Sequence, residues 1–386
     1  MTIKIFHTGD LHIGMTYGNR PYSSELKQKL MDSRLNVLKK TVEIANERSC
    51  QLFLVAGDLF HRTTVKKEYI VQAAKILSDF AGNSVVVLPG NHDHLEGYDS
   101  IWEAFNSHVE DHVVVLDNWE PVVMDDYGLD ITLYPAPCEQ KHSGDHGLHW
   151  IKELQEKPET TWHLGIAHGA VEGVSPDFQG QYYPMSVRDL EQTGIDHWLL
   201  GHTHIPYPRS HVSGKNQIFT YCGTPEPDGF DCDHGGYARI VHLDLKSGGL
   251  EQDNKEIYSE LLTTGEYRFM EIYQEIEGIS ELKLVEKNIA NQVDRMENTL
   301  VKLKLSGILE KDEFQKLSDE LDKLRERLAY LEVDTKNVSI AIDAEIIKEE
   351  YPENSLSSLL LNRLWERGEQ DALQMAYQMI RKVNQD

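Results

Sequence analysis

Five short blocks carry the side chains of this chain that could do chemistry, and each follows directly on an apolar run. Ile3, Ile5 and Phe6 lead into Gly9-Asp10-Leu11-His12, Leu52 to Ala56 into Gly57-Asp58-Leu59-Phe60-His61, and Val85 to Leu88 into Gly90-Asn91-His92-Asp93. Leu164 to Ala167 lead into His168-Gly169, and Trp198 to Leu200 into Gly201-His202-Thr203-His204. Residues two apart on an extended chain point the same way, so Asp10 with His12, and His202 with His204, can each converge on one point. Glycine ahead of a ligand permits the tight turn that a crowded site needs. Asp10, His12, Asp58, Asn91, His168, His202 and His204 together offer two carboxylates, one amide oxygen and four imidazoles. That set suits divalent manganese, iron or zinc better than calcium. Seven ligands are too many for one ion and match two ions about 3.5 to 4 Å apart that share a carboxylate. One such block alone is weak, because a single His after a strand is more often a hydrogen-bonded structural residue. Five in a fixed order, each after an apolar run, are not readily explained that way.

The elements that must hold these blocks are legible in the texture of the chain. Up to about residue 250, short apolar runs ending in Gly, Pro, Asn or Asp alternate with helix-like stretches, the pattern of an α/β layered fold. Residues 23–48 and 66–80 have helical spacing, with Leu26, Leu30, Val37, Leu38 and Val42 on one and Ile70, Ala73, Leu77 and Phe80 on the other. Open α/β sheets place ligand sites at the C-terminal ends of their strands, where all five blocks fall. Beyond about residue 266 the order becomes strand (269–276), helix (282–296), strand (300–305), helix (314–331) and strand (338–342), a second, compact α+β domain. After Pro352, an apolar stripe of Leu356, Leu360, Leu364, Leu373, Ala376 and Ile380 reads as a terminal helix or helix pair that docks on its own chain or on a partner. The expected domains are therefore 1–265, 266–345 and 346–386.

Composition narrows the class. Hydrophobic residues at 40% and charged residues at 26% of 386 are ordinary for folded chains. Four cysteines without a C-x-x-C pair argue against a zinc ribbon or disulfide framework and suit a reducing, cytoplasmic compartment. No apolar stretch reaches 18 residues, so a membrane span is not expected. The net charge of -26 looks unsuited to a polyanion, yet it is unevenly spread. Residues 1–100 hold 12 basic and 11 acidic side chains, residues 101–200 hold 4 and 18, and the rest hold 22 and 35. Bound cations can supply the positive charge that a phosphate substrate requires.

The five blocks resemble the signature of the calcineurin-like metallophosphoesterases, and within that superfamily the chain is most similar to the SbcD-type DNA repair exonucleases. The narrower likeness rests on Gly57-Asp58-Leu59-Phe60-His61-Arg62, on Tyr183-Pro184 through Asp189-Leu190 to His204, and on Tyr221-Cys222-Gly223-Thr224-Pro225-Glu226. Leu303-Lys304-Leu305-Ser306-Gly307 is similar to part of that family's capping domain. The resemblance implies a metallophosphoesterase β-sandwich flanked by helices, with a small α+β cap. It implies that Asp10, His12 and His204 hold one ion and Asn91, His168 and His202 the other, with Asp58 bridging and manganese the foremost metal. It further implies that His92 acts as general acid or transition-state stabiliser and that His61 orients the substrate phosphate. The implied partners are DNA and an SbcC-like coiled-coil ATPase, with a second copy of the chain as a further candidate. Rival readings are a phosphatase or cyclic-nucleotide phosphodiesterase on the same core, or a non-catalytic scaffold for an ATPase. Asp93 reads as the partner that orients His92, Trp198 as core, and His142, His146 and His149 as a solvated loop.

Overall fold

The computed structural model describes residues 2–96, 101–210, 212–213, 217–246 and 254–385. Successive side chains of a strand face opposite ways, and the first strands use both faces. In β1 (Thr2–Thr8), β2 (Leu52–Ala56) and β3 (Ser84–Leu88), Phe6, Phe53, Val55, Val85 and Val87 enter one apolar cluster. Their neighbours Ile5, Leu52, Leu54, Val86 and Leu88 enter another. Burial on both faces is what parallel strands between layers require, and it explains why these runs are continuously apolar.

Helices α1 (Ser24–Glu47), α2 (Lys67–Ser78) and α3 (Ile101–Asn106) close the first cluster through Leu38, Val42, Ala73, Leu77, Trp102 and Phe105. Ser23 starts α1 by accepting a hydrogen bond from the Leu26 amide at 3.1 Å, satisfying one of the donors a helix start leaves open. The remaining strands of this part are β4 (Val113–Val115), β5 (Val122–Val123), β6 (Ile131–Ala136), β7 (Trp162–His168), β8 (His197–Gly201), β9 (Val212–Ser213), β10 (Phe219–Tyr221), β11 (Tyr237–Leu245) and β12 (Lys255–Thr263). One sheet runs β4-β3-β2-β1-β11-β12-β9 and the other β10-β8-β7-β6-β5. Leu133, Leu164, Ile166 and Leu199 of the second sheet share the inner cluster with Ile5, Leu54 and Val86 of the first. On the outer face of the second sheet, Trp198, Leu200 and Tyr134 pack with Ile151 of α4 (His149–Glu153) and Leu190 of α5 (Val187–Gln192). The order of layers is helix, sheet, sheet, helix, the sandwich flanked by helices that the family resemblance implies.

The chain divides into two compact units, Met1–Phe269 and Met270–Asp386. In the second, a three-stranded sheet runs β13 (Arg268–Ile276), β14 (Thr299–Leu309), β15 (Tyr330–Ile340). Its β14 and β15 are parallel, joined by α7 (Lys311–Arg327), and α6 (Leu282–Gln292) packs beside α7 over Val301, Leu303 and Leu305. The helix read over 314–331 ends at Arg327. Leu328 and Leu331 continue its apolar spacing because they enter the same cluster from the turn and from β15, not from a further helical turn.

Helices α8 (Ala344–Glu350), α9 (Leu356–Glu366) and α10 (Gln370–Gln385) belong to the second unit. The apolar stripe read beyond Pro352 splits between two faces. Leu361, Leu373 and Tyr377, with Leu364, Ala376 and Ile380 around them, pack on Ile346, Ile347 and Tyr351, while Leu356 and Leu360 stay exposed. Among the described residues, no helix is long and apolar enough to cross a membrane.

Candidate metal centre

All five blocks sit at or just past the C-terminal ends of β1, β2, β3, β7 and β8, so the parallel order of the strands brings them together. Pairing of β1 with β2 persists beyond both strands: the Asp10 amide donates to Gly57 O at 3.0 Å and the His12 amide to Asp58 O at 2.9 Å. There the backbone turns left-handed at Asp10 (φ 53°), His12 (φ 47°), Asp58 (φ 54°) and His202 (φ 94°). Such conformations cost of order 1 to 3 kcal/mol each in non-glycine residues and persist only where the surroundings enforce them. Gly57 (φ 88°) leads into this turn, and a Cβ there would overlap the His168 ring.

Carboxylates hold the strand ends in place. Asp10 accepts from the His202 amide (3.0 Å) and Asp58 from the His92 amide (2.8 Å). Asp93 accepts from the Gly90 (2.7 Å) and Phe60 (2.9 Å) amides, which ties the third block to the second. This corrects the role expected of Asp93: its carboxylate is spent on backbone. The His92 ring is fixed instead by its Nδ1–H, which donates to the His61 carbonyl at 3.0 Å.

The seven ligand candidates converge. His168 Nδ1 donates to Ala56 O at 2.9 Å, so a neutral ring presents the lone pair of Nε2 to Asn91 Oδ1 (3.0 Å) and Asp58 Oδ2 (3.3 Å). His202 Nδ1 lies 3.3 Å from the same Asn91 oxygen. On the other side, His204 Nδ1 faces Asp228 Oδ1 at 3.3 Å, leaving Nε2 directed at His12 Nε2 (3.1 Å) and Asp10 Oδ1 (3.8 Å). His12 Nε2 is in turn 3.7 Å from Asp58 Oδ2. Each of the seven thus has a ligand atom within 3.8 Å of another's, a crowded set of carboxylate, amide and imidazole donors of the kind that divalent cations take. Asp58 Oδ2 lies between the two groups.

The electrostatics agree. Burial pushes His12 well below its usual range and brings His202 down to about 3, so both are neutral. Burial also opposes charge on His168 and His204, but Asp58 beside the first and Asp228 beside the second hold both above the ordinary value. Burial raises Asp10, whereas at Asp58 the neighbouring His168, His12 and His92 outweigh burial and keep it ionised. The site concentrates negative potential, and protons on His168 and His204 stand where cations fit.

His61 and His92 flank this centre. Their rings stack at 5.2 Å, and His92 meets His12 edge-on at 4.7 Å. Burial and His92 lower His61 to about 4, so it is neutral near pH 7. A cavity of about 260 Å³ opens beside His61, lined by Tyr17, Arg20, Arg62 and Asp228 among others. Two residues escaped the sequence reading. Asp228 holds His204 from two positions past the end of the Tyr221–Glu226 block, and Arg34 is fully buried in α1, donating to Leu11 O at 2.7 Å. Neither has a spacing that sets it apart from a surface Asp or a helix Arg. Trp198 is core, as expected, and His142 packs on Tyr182. Asp145, His146 and His149 form an outlying cluster, in which His146 Nδ1 accepts from the Leu148 amide at 3.0 Å.

The calcineurin-like phosphoesterase profile matches residues 3–206, the stretch that contains all five blocks. The chain is 24% identical over 229 residues to the uncharacterised metallophosphoesterase YhaO of Bacillus subtilis strain 168, covering 58% of this chain and 53% of that protein. It is 23% identical over 256 residues to the DNA double-strand break repair protein Mre11 of Methanopyrus kandleri, covering 58% of this chain and 49% of the relative. The protein of the same name from Archaeoglobus fulgidus is 24% identical over 219 residues, covering 53% and 46%. The chain thus spans about half the length of the curated relatives it matches.

Proposed function

The chain belongs to the calcineurin-like phosphoesterase family, and on that premise we propose that it is a two-metal phosphodiesterase acting on DNA, an exonuclease of the SbcD kind. The observation that carries this reading is Asp58 Oδ2, placed 3.7 Å from His12 Nε2 and 3.3 Å from His168 Nε2 and so turned to both ligand groups. Asp10, His12 and His204 hold one cation and Asn91, His168 and His202 the other, with manganese as the metal. Two such cations supply activation of water and neutralisation of charge on the phosphoryl group.

The chain's own residues do the rest. With its Nδ1–H given to the His61 carbonyl, His92 turns Nε2 to the site, and in its imidazolium form it passes the Nε2 proton to the leaving oxygen and is left neutral. Neutral His61, stacked on His92 and lining a cavity with Arg20 and Arg62, orients the substrate phosphate; the lining also holds the carboxylates of Asp228 and Asp231. The similarity to two proteins named for DNA double-strand break repair supports DNA as the substrate. Exposed Leu356, Leu359, Leu360, Met375, Met379 and Val383 on α9 and α10 are the surface for an SbcC-like ATPase partner.

A small phosphodiester is the second reading, favoured by the excess of 18 acidic over 4 basic side chains in residues 101–200. The purified chain with manganese, given end-labelled duplex DNA, single-stranded DNA and a small chromogenic phosphodiester, decides between them. DNA digestion that His61→Ala depresses more than small-substrate hydrolysis is the expected result. Hydrolysis of the small substrate alone, or equal loss on both, overturns the DNA assignment.

A further inference from the structure

Three chemically different donors meet at the edge of the His204 ring that faces away from the proposed ion pair. His204 Nδ1 lies 3.3 Å from Asp228 Oδ1, and the same oxygen lies 3.5 Å from Cys232 Sγ. All three donor atoms fall within 4.8 Å of one another. A tetrahedral zinc ion with nitrogen and oxygen ligands at about 2.0 Å and sulfur at about 2.3 Å has edges of about 3.3 Å between N and O and about 3.5 Å between O and S. The donors already stand at those separations.

We propose that His204 Nδ1, Asp228 and Cys232 form a third cation site, selective for zinc-like ions. The thiolate sets the selectivity, because magnesium and calcium take oxygen ligands while sulfur and imidazole favour zinc and its neighbours. Room for a fourth ligand comes from a cavity of about 370 Å³ lined by His204, Cys232, Thr203, Tyr182 and Asp231, among others. Three protein ligands with one open position mark a site that ions can enter and leave, unlike a closed structural one.

One ring serves both groups of ligands through its two nitrogens. Without zinc, His204 Nδ1–H donates to Asp228, and the Nε2 lone pair points at Asp10 and His12. Zinc binding releases the Nδ1 proton and the Cys232 thiol proton to solvent. The ring then bridges as an imidazolate, with Nε2 still turned to Asp10 and His12. The site stands independently of the function proposed above.

Cobalt, titrated into the metal-free protein, is the spectroscopic probe. Wild type is expected to bind three ions, the third bringing thiolate-to-cobalt charge-transfer absorption, which Cys232→Ser and Cys232→Ala lack while keeping the wild-type melting temperature. Zinc should also protect Cys232, located by peptide mass spectrometry, from alkylation in the wild-type protein, a readout that needs no variant. Absence of the absorption in wild type, its persistence in the variants, or unprotected Cys232 overturns the proposal. If the chain hydrolyses no phosphodiester at all, the absorption and alkylation arms still decide the site.

Discussion

All 18 histidines and all four cysteines lie in Met1–Phe269, and none lies in Met270–Asp386. The first unit buries Asp10, Asp58, Asp93 and Glu226 almost completely, whereas the buried polar side chains of the second are uncharged: Thr299, Ser358 and Gln374 among the described residues. Of the left-handed non-glycine residues described, only Asn354 falls in the second unit. Its charges sit on the surface in pairs such as Lys311–Glu349 and Lys323–Glu320, which contribute little because water screens them. The second unit is held by apolar volume. The first carries a concentration of like charge and strained backbone that packing alone does not repay, so its stability is tied to cations and to pH. Five experiments test that contrast.

Asp58→Ala removes the oxygen that faces both ligand groups. It should leave less than one ion per chain and lower turnover by about a thousandfold or more, the equivalent of several kcal/mol of charge stabilisation. Elemental analysis and phosphodiester turnover read the two effects, and two retained ions would remove Asp58 from the bridging position. In the same frame, chelation should lower the first unit's unfolding transition by up to about 3 kcal/mol and leave that of the second in place.

His92→Ala should keep both ions yet lose about 10² to 10⁴ in rate, since the change removes a proton donor and not a ligand. Full turnover in this variant would refute the acid role. Loss of the ions would instead place His92 among the ligands.

In the second unit the effect of substitution should track burial and nothing else. Leu361→Ala, at 0% exposure, should cost about 2 to 5 kcal/mol in that unit's unfolding without changing ion content. Leu356→Ala, at 84% exposure, should stay within about 0.5 kcal/mol. Comparable losses at the two positions would mean that α9 presents a different face.

The pH dependence should also divide the units. His197 is buried, and burial brings it down to about 4, with Nδ1 donating to Gln217 O at 3.0 Å. Its neutral form is the one the fold prefers. Its contribution is therefore complete above the ordinary value near 6.5 and is lost as pH falls toward 4. Between pH 7 and pH 5 this residue alone should cost the first unit about 2 kcal/mol. The second unit, with no histidine, should change little over that interval, and calorimetry of the metal-free protein at the two pH values separates the transitions. Equal shifts in both would mean that histidine burial is not the cause.

Where local pattern and tertiary environment say the same thing, the sequence was readable. Ile5 and Phe6, or Val86 and Val87, alternate between two clusters because a strand between layers has no other choice, and each block follows such a strand. Apolar spacing was less reliable where two elements share one core. Leu328 and Leu331 continue the rhythm of α7 from outside it, and the stripe through Leu356 and Leu373 divides between an exposed and a buried face. Asp93 shows the same limit for polar groups: adjacency to His92 suggested a partner, but a carboxylate with two backbone amides in reach is used up by them.

The five blocks, their order and their donor types follow from local sequence, because ligand chemistry and the geometry of a strand end are local properties. Tertiary structure alone decided which ligands share an oxygen, that His61 lends His92 a carbonyl, and that Asp228 reaches His204 across 24 residues. Those pairings depend on how separate strands are placed side by side, and their energy comes from excluding water around groups that the chain brings together only on folding.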